Sequence, residues 1–169
     1  YLFGREVVKL AWFELAFLCF MIPIPYVIYF ALTFPMQLLA SKITAGVLGA
    51  IGMDVFRQGN ILHLPGGTSL EVAEACSGMR SLMSLLALGA LYAYMTQKRL
   101  AGKIVLFAST IPIAVIANVF RVFVTALLAT TVSAEVAAEP IHSIMGLSVF
   151  VVSFILMLIV GAILKAVFK

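Results

Sequence analysis

Cys76, Arg121 and His142 are the residues of this chain whose types could combine into one reaction. A cysteine thiolate is a nucleophile, a histidine can take and return its proton, and an arginine can hold a developing negative charge. Cys76 lies in "EACSGMRSL", residues 74–82, where an acid, a glycine and an arginine crowd around it. At the start of a helix, its thiolate would be stabilised by unpaired backbone N–H groups and the helix dipole. Gly78 would let a substrate backbone come close. Arg80, at i+4 from Cys76, would share its helix face and support the thiolate or touch substrate. Arg121 lies in "NVFRVF" with Asn118 at i−3, so both face the same way, inward rather than toward lipid. His142 opens the last apolar run. Cysteine and histidine can work as nucleophile and base without being close in sequence.

Each of these residues also has an inert reading. Cys76 can be a small buried hydrophobe. His142 can cap a helix, and Arg121 can snorkel to headgroups. Arg80 can pair with Glu74. Glu71 and Glu74 can orient an arginine or the histidine, or be solvated strand-end acids, and the sequence leaves both open. His63 sits in a strand pattern and competes poorly with His142. Cys19 has no polar neighbours and reads as packing. The two cysteines show neither a disulfide framework nor metal-ligand spacing, so neither a metal nor a cofactor is expected.

The elements that must position these residues are membrane helices. Of the 169 residues, 64% are hydrophobic and 11% are charged, against about 25% charged in an ordinary soluble domain. A soluble chain of this length cannot hide so much apolar surface. The net charge of +4 is not a nucleic-acid footprint, because the basic residues sit at the ends of apolar runs, where membrane orientation explains them. The chain opens at Tyr1, and it is expected to be a piece of a longer protein.

The fold class expected is an all-α polytopic membrane protein, a helical bundle, with a small extracytoplasmic β-hairpin or meander before the cysteine-bearing helix. One domain, residues 1–169, is the simplest count. About four spanning helices are expected, over 10–34, 76–95, 104–130 and 141–168. Pro23 and Pro25 interrupt the first. The segment 36–52 carries Lys42 and several glycines, and reads as an interfacial or re-entrant helix. Residues 53–73 hold the only extended polar stretch, with a Gly-Asn turn and Pro65-Gly66-Gly67, and read as the hairpin or meander.

Orientation gives an independent constraint. Arg5, Lys9, Lys98, Arg99, Lys103, Lys165 and Lys169 fall on one side, the cytoplasm by the positive-inside rule. Asp54, Glu71, Glu74, Glu135 and Glu139 fall on the other. This holds only if 36–52 makes no full crossing of its own. By helical rise, Cys76 lies about 30 Å from the "QKR" loop, Arg121 about 27 Å from Lys103, and His142 about 34 Å from Lys165. The hydrocarbon core is about 30 Å thick. Three residues from three helices therefore converge on the outer boundary of the bilayer.

"EACSGMRSL", then "NVFRVF", then a histidine opening the last helix, resembles the exosortase/archaeosortase family. The "PIP" and the "GNILHLPGG…LEVAEACSG" run also fit, and the likeness covers most of the chain. The Cys-Ser-Gly block, Cys76-Ser77-Gly78, is its specific part. The resemblance implies a membrane-embedded cysteine protease, in particular a transpeptidase, with Cys76 as nucleophile and Arg121 and His142 completing the site. Glu74, Ser77, Gly78, Arg80 and Asn118 become supporting or substrate-binding residues. The implied substrates are exported proteins with a C-terminal sorting signal: a short motif (Pro-Glu-Pro in the bacterial branch), a membrane helix and a basic tail. Water, an amine, or a glycan or lipid acceptor would complete the reaction. The implied location is the cytoplasmic (inner) membrane of a prokaryote, multi-pass, with the site at the extracytoplasmic face. Longer family members carry further upstream helices. The rival readings are a transporter or channel component with an Arg/His path, and a non-catalytic membrane assembly subunit whose hairpin binds a partner.

Overall fold

Two prolines decide where the first apolar run breaks. A proline fixes its own φ and pushes the residue before it into extended backbone. Ile22, before Pro23, is extended at φ −73° and ψ 120°. Pro25 stands at the N-cap of the next helix with ψ 138°. The computed structural model describes residues 11–72, 78–131 and 141–167, with backbone alone at 131 and 141–144. Before the break lie α1 (Trp12–Phe17) and a 3₁₀ turn, Leu18–Met21. After it comes α2 (Tyr26–Ala50), then β1 (Phe56–Gln58), β2 (Ile61–His63) and β3 (Ser69–Glu71). Three further helices follow: α3 (Met79–Thr96), α4 (Leu100–Thr131) and α5 (Ile141–Val167).

This corrects the expected boundaries. A span over 10–34 and a separate interfacial helix over 36–52 are not found, because α2 continues unbroken through Pro35. In apolar surroundings a broken helix has no water to satisfy its freed backbone groups, so a single proline is accommodated. Within α2 the Thr33 hydroxyl donates to the Tyr29 carbonyl. At the proline pair, 23 and 25, helical structure stops at Met21 and resumes at Tyr26.

The buried face of α2 is Thr33, Gln37, Ala40, Ser41, Thr44 and Leu48, recurring at helical spacing. Its outer face shows Val27, Ile28, Phe30, Leu32, Phe34, Leu39, Ile43 and Val47. α4 repeats the pattern, with Thr110, Asn118, Arg121 and Thr125 buried and Val105, Ile111, Ile116 and Phe120 exposed. Such a surface would aggregate in water and suits hydrocarbon. Among the described residues three helices are long and apolar enough to cross a membrane: Tyr26–Ala50, Leu100–Thr130 and Met145–Val167. α3, expected as a fourth, has 18 residues and Arg80 in its first turn, and it is not among the three.

The two ends of the bundle differ. At one end the antiparallel sheet β1-β2-β3 buries Leu62, Leu64 and Val72 against Ala40 and Leu48 of α2 and Val122, Ala126 and Ala129 of α4. The Ser41 hydroxyl donates to the Gly59 carbonyl at 3.0 Å, tying the β1–β2 turn to α2. The other end holds the basic turn Lys98-Arg99 between α3 and α4. Phe13 stacks on Tyr94 at 3.7 Å, Trp12 meets the same ring edge-on, and Lys103 Nζ lies 4.5 Å above it. From this anchor α1 runs antiparallel to α3. Phe17 and Leu18 line one cleft with Leu91, and Ile22 and Ile24 line another with Arg80, Met83 and Ser84.

Close backbone approach holds α3, α4 and α5 together. Gln97 is buried and donates from Nε2 to the Gly161 carbonyl at 2.9 Å. A Cβ at Gly161 would collide with the Tyr92 ring, and one at Gly89 with the Thr110 methyl. Glycines that admit a neighbour in this way are the usual device of membrane helix packing. By contrast, a Cβ at Gly46 or Gly49 of α2 meets nothing within 4 Å. Gly161→Ala should therefore lower the melting temperature in detergent, at a cost of about 1–3 kcal/mol. Gly46→Ala should raise it, by up to about 1 kcal/mol. A Gly161→Ala variant as stable as Gly46→Ala would contradict this packing.

Candidate active site

The site is built from Gly78 outward. Gly78 is the N-cap of α3, in left-handed backbone at φ +76°, and its carbonyl accepts the first helical bond from the Leu82 N–H at 2.8 Å. A Cβ there would lie 2.5 Å from Asn118 Cγ and 2.8 Å from Asn118 Cβ. Both the backbone angle and the space thus demand glycine. The sequence reading gave this glycine to a substrate backbone. In the structure it is Asn118 that occupies the space. The peptide unit that follows Cys76-Ser77 is thereby laid directly on α4.

Asn118 and Arg121 are both buried, at 4% and 6% exposure. Arg121 Nη2 donates to Asn118 Oδ1 at 3.0 Å, one turn back on the same helix. The Thr125 hydroxyl donates to the Arg121 carbonyl at 2.9 Å, and its oxygen is 3.9 Å from Met145 Sδ on α5. A Cβ at Gly146 of α5 would lie 3.5 Å from Arg121 Nη1. The guanidinium therefore spans from α4 to α5 and meets α5 one turn after His142. His142 stands in the first turn of α5, at i−4 from Gly146 and so on the same side of the helix. Its side chain lies outside the described residues, as do Cys76, Ser77 and Glu74 entirely.

Arg80 goes elsewhere. α3 begins at Met79, after a left-handed Gly78, and the expected pairing of Arg80 with Cys76 falls on a residue outside the described ones. Arg80 is exposed and lines an open cleft of about 560 Å³ with Ile22, Ile24, Tyr26, Tyr29, Met83 and Ser84. His63 stays in the sheet, with Nδ1 2.9 Å from Ser69 Oγ and its ring stacked on Phe56. Among the described residues no group of three or more His, Cys, Asp or Glu side chains converges.

Sequence reasoning missed Thr125 and Gly146. Thr125 was visible as a polar residue one turn after Arg121 inside an apolar run. Gly146 carried no signal, since its role is to leave room for an arginine on another helix.

A Gly78→Ala substitution should cost about 1–3 kcal/mol from the left-handed backbone alone, and should displace Asn118. Asn118→Gly removes the clashing atoms but also the partner of Arg121, so it costs stability by itself. Thermal unfolding should show Gly78→Ala costing less in the Asn118→Gly background than in the native one. An equal cost in both backgrounds would mean that the Gly78–Asn118 contact is not what the glycine serves.

An arginine held by an asparagine in a bundle interior, with Gly78 packed on that asparagine and the arginine one turn from the start of α5, is a specific arrangement. No curated protein and no solved structure matches the chain. The family model for transmembrane exosortases matches residues 1–159. That match covers nearly all of the 169 residues. With the helices described above, the chain belongs to the transmembrane exosortase family, and with it to the membrane transpeptidase or protease class.

Proposed function

We propose that the chain is a cysteine transpeptidase or protease of the extracytoplasmic face of a prokaryotic inner membrane, and that it cleaves the C-terminal sorting signal of exported proteins. The observation that carries this reading is the packing of Gly78 on Asn118, which holds Arg121 against α5 one turn from His142. Two peptide units separate Cys76 from Gly78, so chain connectivity keeps their α-carbons within roughly 7 Å. The three residue types that the chemistry needs thus come from segments tied to one another at one end of the bundle.

The reaction follows from the chemistry of each group. His142 takes the Cys76 proton, and the thiolate adds to the carbonyl carbon of the scissile peptide. The buried guanidinium of Arg121 stabilises negative charge, first on sulfur and then on the tetrahedral oxyanion. It works at low dielectric, where a fixed charge acts strongly. The C–N bond breaks, and the leaving amine takes the proton from His142. A thioester on Cys76 remains. Water or an acceptor amine then adds to it, His142 again moves the proton, and the thiol is restored. A substrate anchored by its own membrane helix presents the outer end of that helix at the depth of the site.

The test uses a reporter with an exported domain, a Pro-Glu-Pro motif, a membrane helix and a basic tail. Cys76→Ala should abolish cleavage with an unchanged melting temperature. Arg121→Gln should slow turnover by about 10²–10³-fold, the cost of losing one charge-stabilising group. Cleavage that survives Cys76→Ala would refute cysteine chemistry. Flux of a solute through liposomes that is independent of Cys76 would favour a transport role instead.

A further inference from the structure

The open cleft of about 560 Å³ beside Arg80 takes no part in the reaction above. Its polar lining is Arg80 and Ser84 of α3 with Tyr26 and Tyr29 of α2. Its apolar lining is Met83 of α3 with Ile22 and Ile24, the residues that alternate with the two prolines. The lining therefore carries a cation and no acid. The Ser84 hydroxyl donates to the Arg80 carbonyl at 3.1 Å, which leaves the guanidinium as the group that sets the charge of the cleft. Among the described residues the acids stand elsewhere. Glu14 lines a different cleft with Tyr94 and Met95, Asp54 precedes β1, and Glu71 is in β3.

The level of the cleft follows from α3. The Lys98-Arg99 turn marks one face of the bilayer. By helical rise Arg80 lies about 26 Å from that turn, close to the far side of a hydrocarbon core about 30 Å thick. Ile22 and Tyr26, on the cleft wall, are 66% and 68% exposed, so the cleft opens outward onto lipid. A guanidinium at this depth needs an anion close by. The surrounding backbone adds to its positive potential, since Tyr26 and Arg80 both stand in the first turn of their helices.

We infer that this cleft binds the phosphate of an anionic phospholipid, with Arg80 paired to the phosphate oxygens and an acyl chain lying over Ile22, Ile24 and Met83. A guanidinium forks onto two phosphate oxygens at once. Tyrosine rings suit the same level, where one end is apolar and the other meets headgroups. A phospholipid brings the anion and the apolar chain in one molecule, which is the pairing that the lining offers. Bound there, it joins the proline break between α1 and α2 to the start of α3. The inference does not depend on the cysteine chemistry.

The experiment uses the full chain in nanodiscs of phosphatidylcholine, with and without phosphatidylglycerol. Native mass spectrometry after release into detergent should show a retained phosphatidylglycerol. Arg80→Gln should weaken its retention about ten- to hundredfold, the range for hydrogen bonds to a charged group. Lys103→Gln, at the other end of the bundle, should not. Phosphatidylglycerol should raise the melting temperature of the native chain more than that of Arg80→Gln. Equal retention by Arg80→Gln would overturn the proposal. Retention that appears only in a Glu74→Gln variant would overturn it as well, because the glutamate would then be what holds Arg80. Inorganic phosphate, the free source of the same group, should displace the lipid poorly, and displacement at equal concentration would rule out the lipid as source. A photo-crosslinking amino acid at position 84 should capture phosphatidylglycerol. Capture of the reporter peptide instead, from nanodiscs containing both, would assign the cleft to substrate and overturn the lipid reading.

Discussion

A polar group that leaves water inside this bundle has no solvent to return to, and that constraint arranges everything else. Backbone groups stay in helices even across Pro35. Threonine and serine hydroxyls turn back on nearby carbonyls, as at Thr33, Thr110, Thr125 and Ser153. Large apolar side chains cover the outer surface, and polar side chains such as Thr33, Thr44, Asn118 and Thr125 lie inside beside leucines and methionines. Helices approach one another through glycines, with Gly89 against Thr110 and Gly161 against Tyr92. Arg121, the buried arginine among the described residues, is bonded to Asn118 within a turn. A buried charge is expensive, and it persists only where geometry supplies partners.

The same constraint makes Gly78 the pivot of the site. It ends the loop, starts α3 and lets that backbone touch Asn118. Through Asn118 the contact passes to Arg121, and through Arg121 to α5 beside Gly146. Three helices are thus fixed relative to one another by one glycine, one amide and one guanidinium. An exosortase reading needs such rigidity, because a thiol, a base and a charge-stabilising group from separate segments must hold position while a substrate helix arrives.

Much of this was legible in the sequence, and the reasons are specific. Composition alone excluded a soluble domain. The three-stranded sheet was visible in its turn residues, Gly59-Asn60 and Pro65-Gly66-Gly67. Asn118 and Arg121 were placed on one face by their spacing, and they are hydrogen-bonded. Other features were not legible. Pro35 looks like Pro23 and Pro25 on paper, yet α2 runs through it in apolar surroundings. The polar stripe of α2 was hidden because Lys42, which is exposed, drew attention to the wrong face. The left-handed backbone of Gly78 sets the start of α3 at Met79, three residues later than expected, and sequence patterns rarely fix a helix end to that precision.

The account turns on covalent chemistry at one sulfur. Incubating the chain in nanodiscs with the Pro-Glu-Pro reporter, quenching in acid and mapping the adducts by mass spectrometry reads this directly. The account predicts an acyl mass on the peptide that contains Cys76, with the reporter's C-terminal helix and basic tail released and the adduct lost on treatment with hydroxylamine. A reporter cleaved with no adduct on Cys76 at any quench time, or an adduct on a different residue, would contradict it.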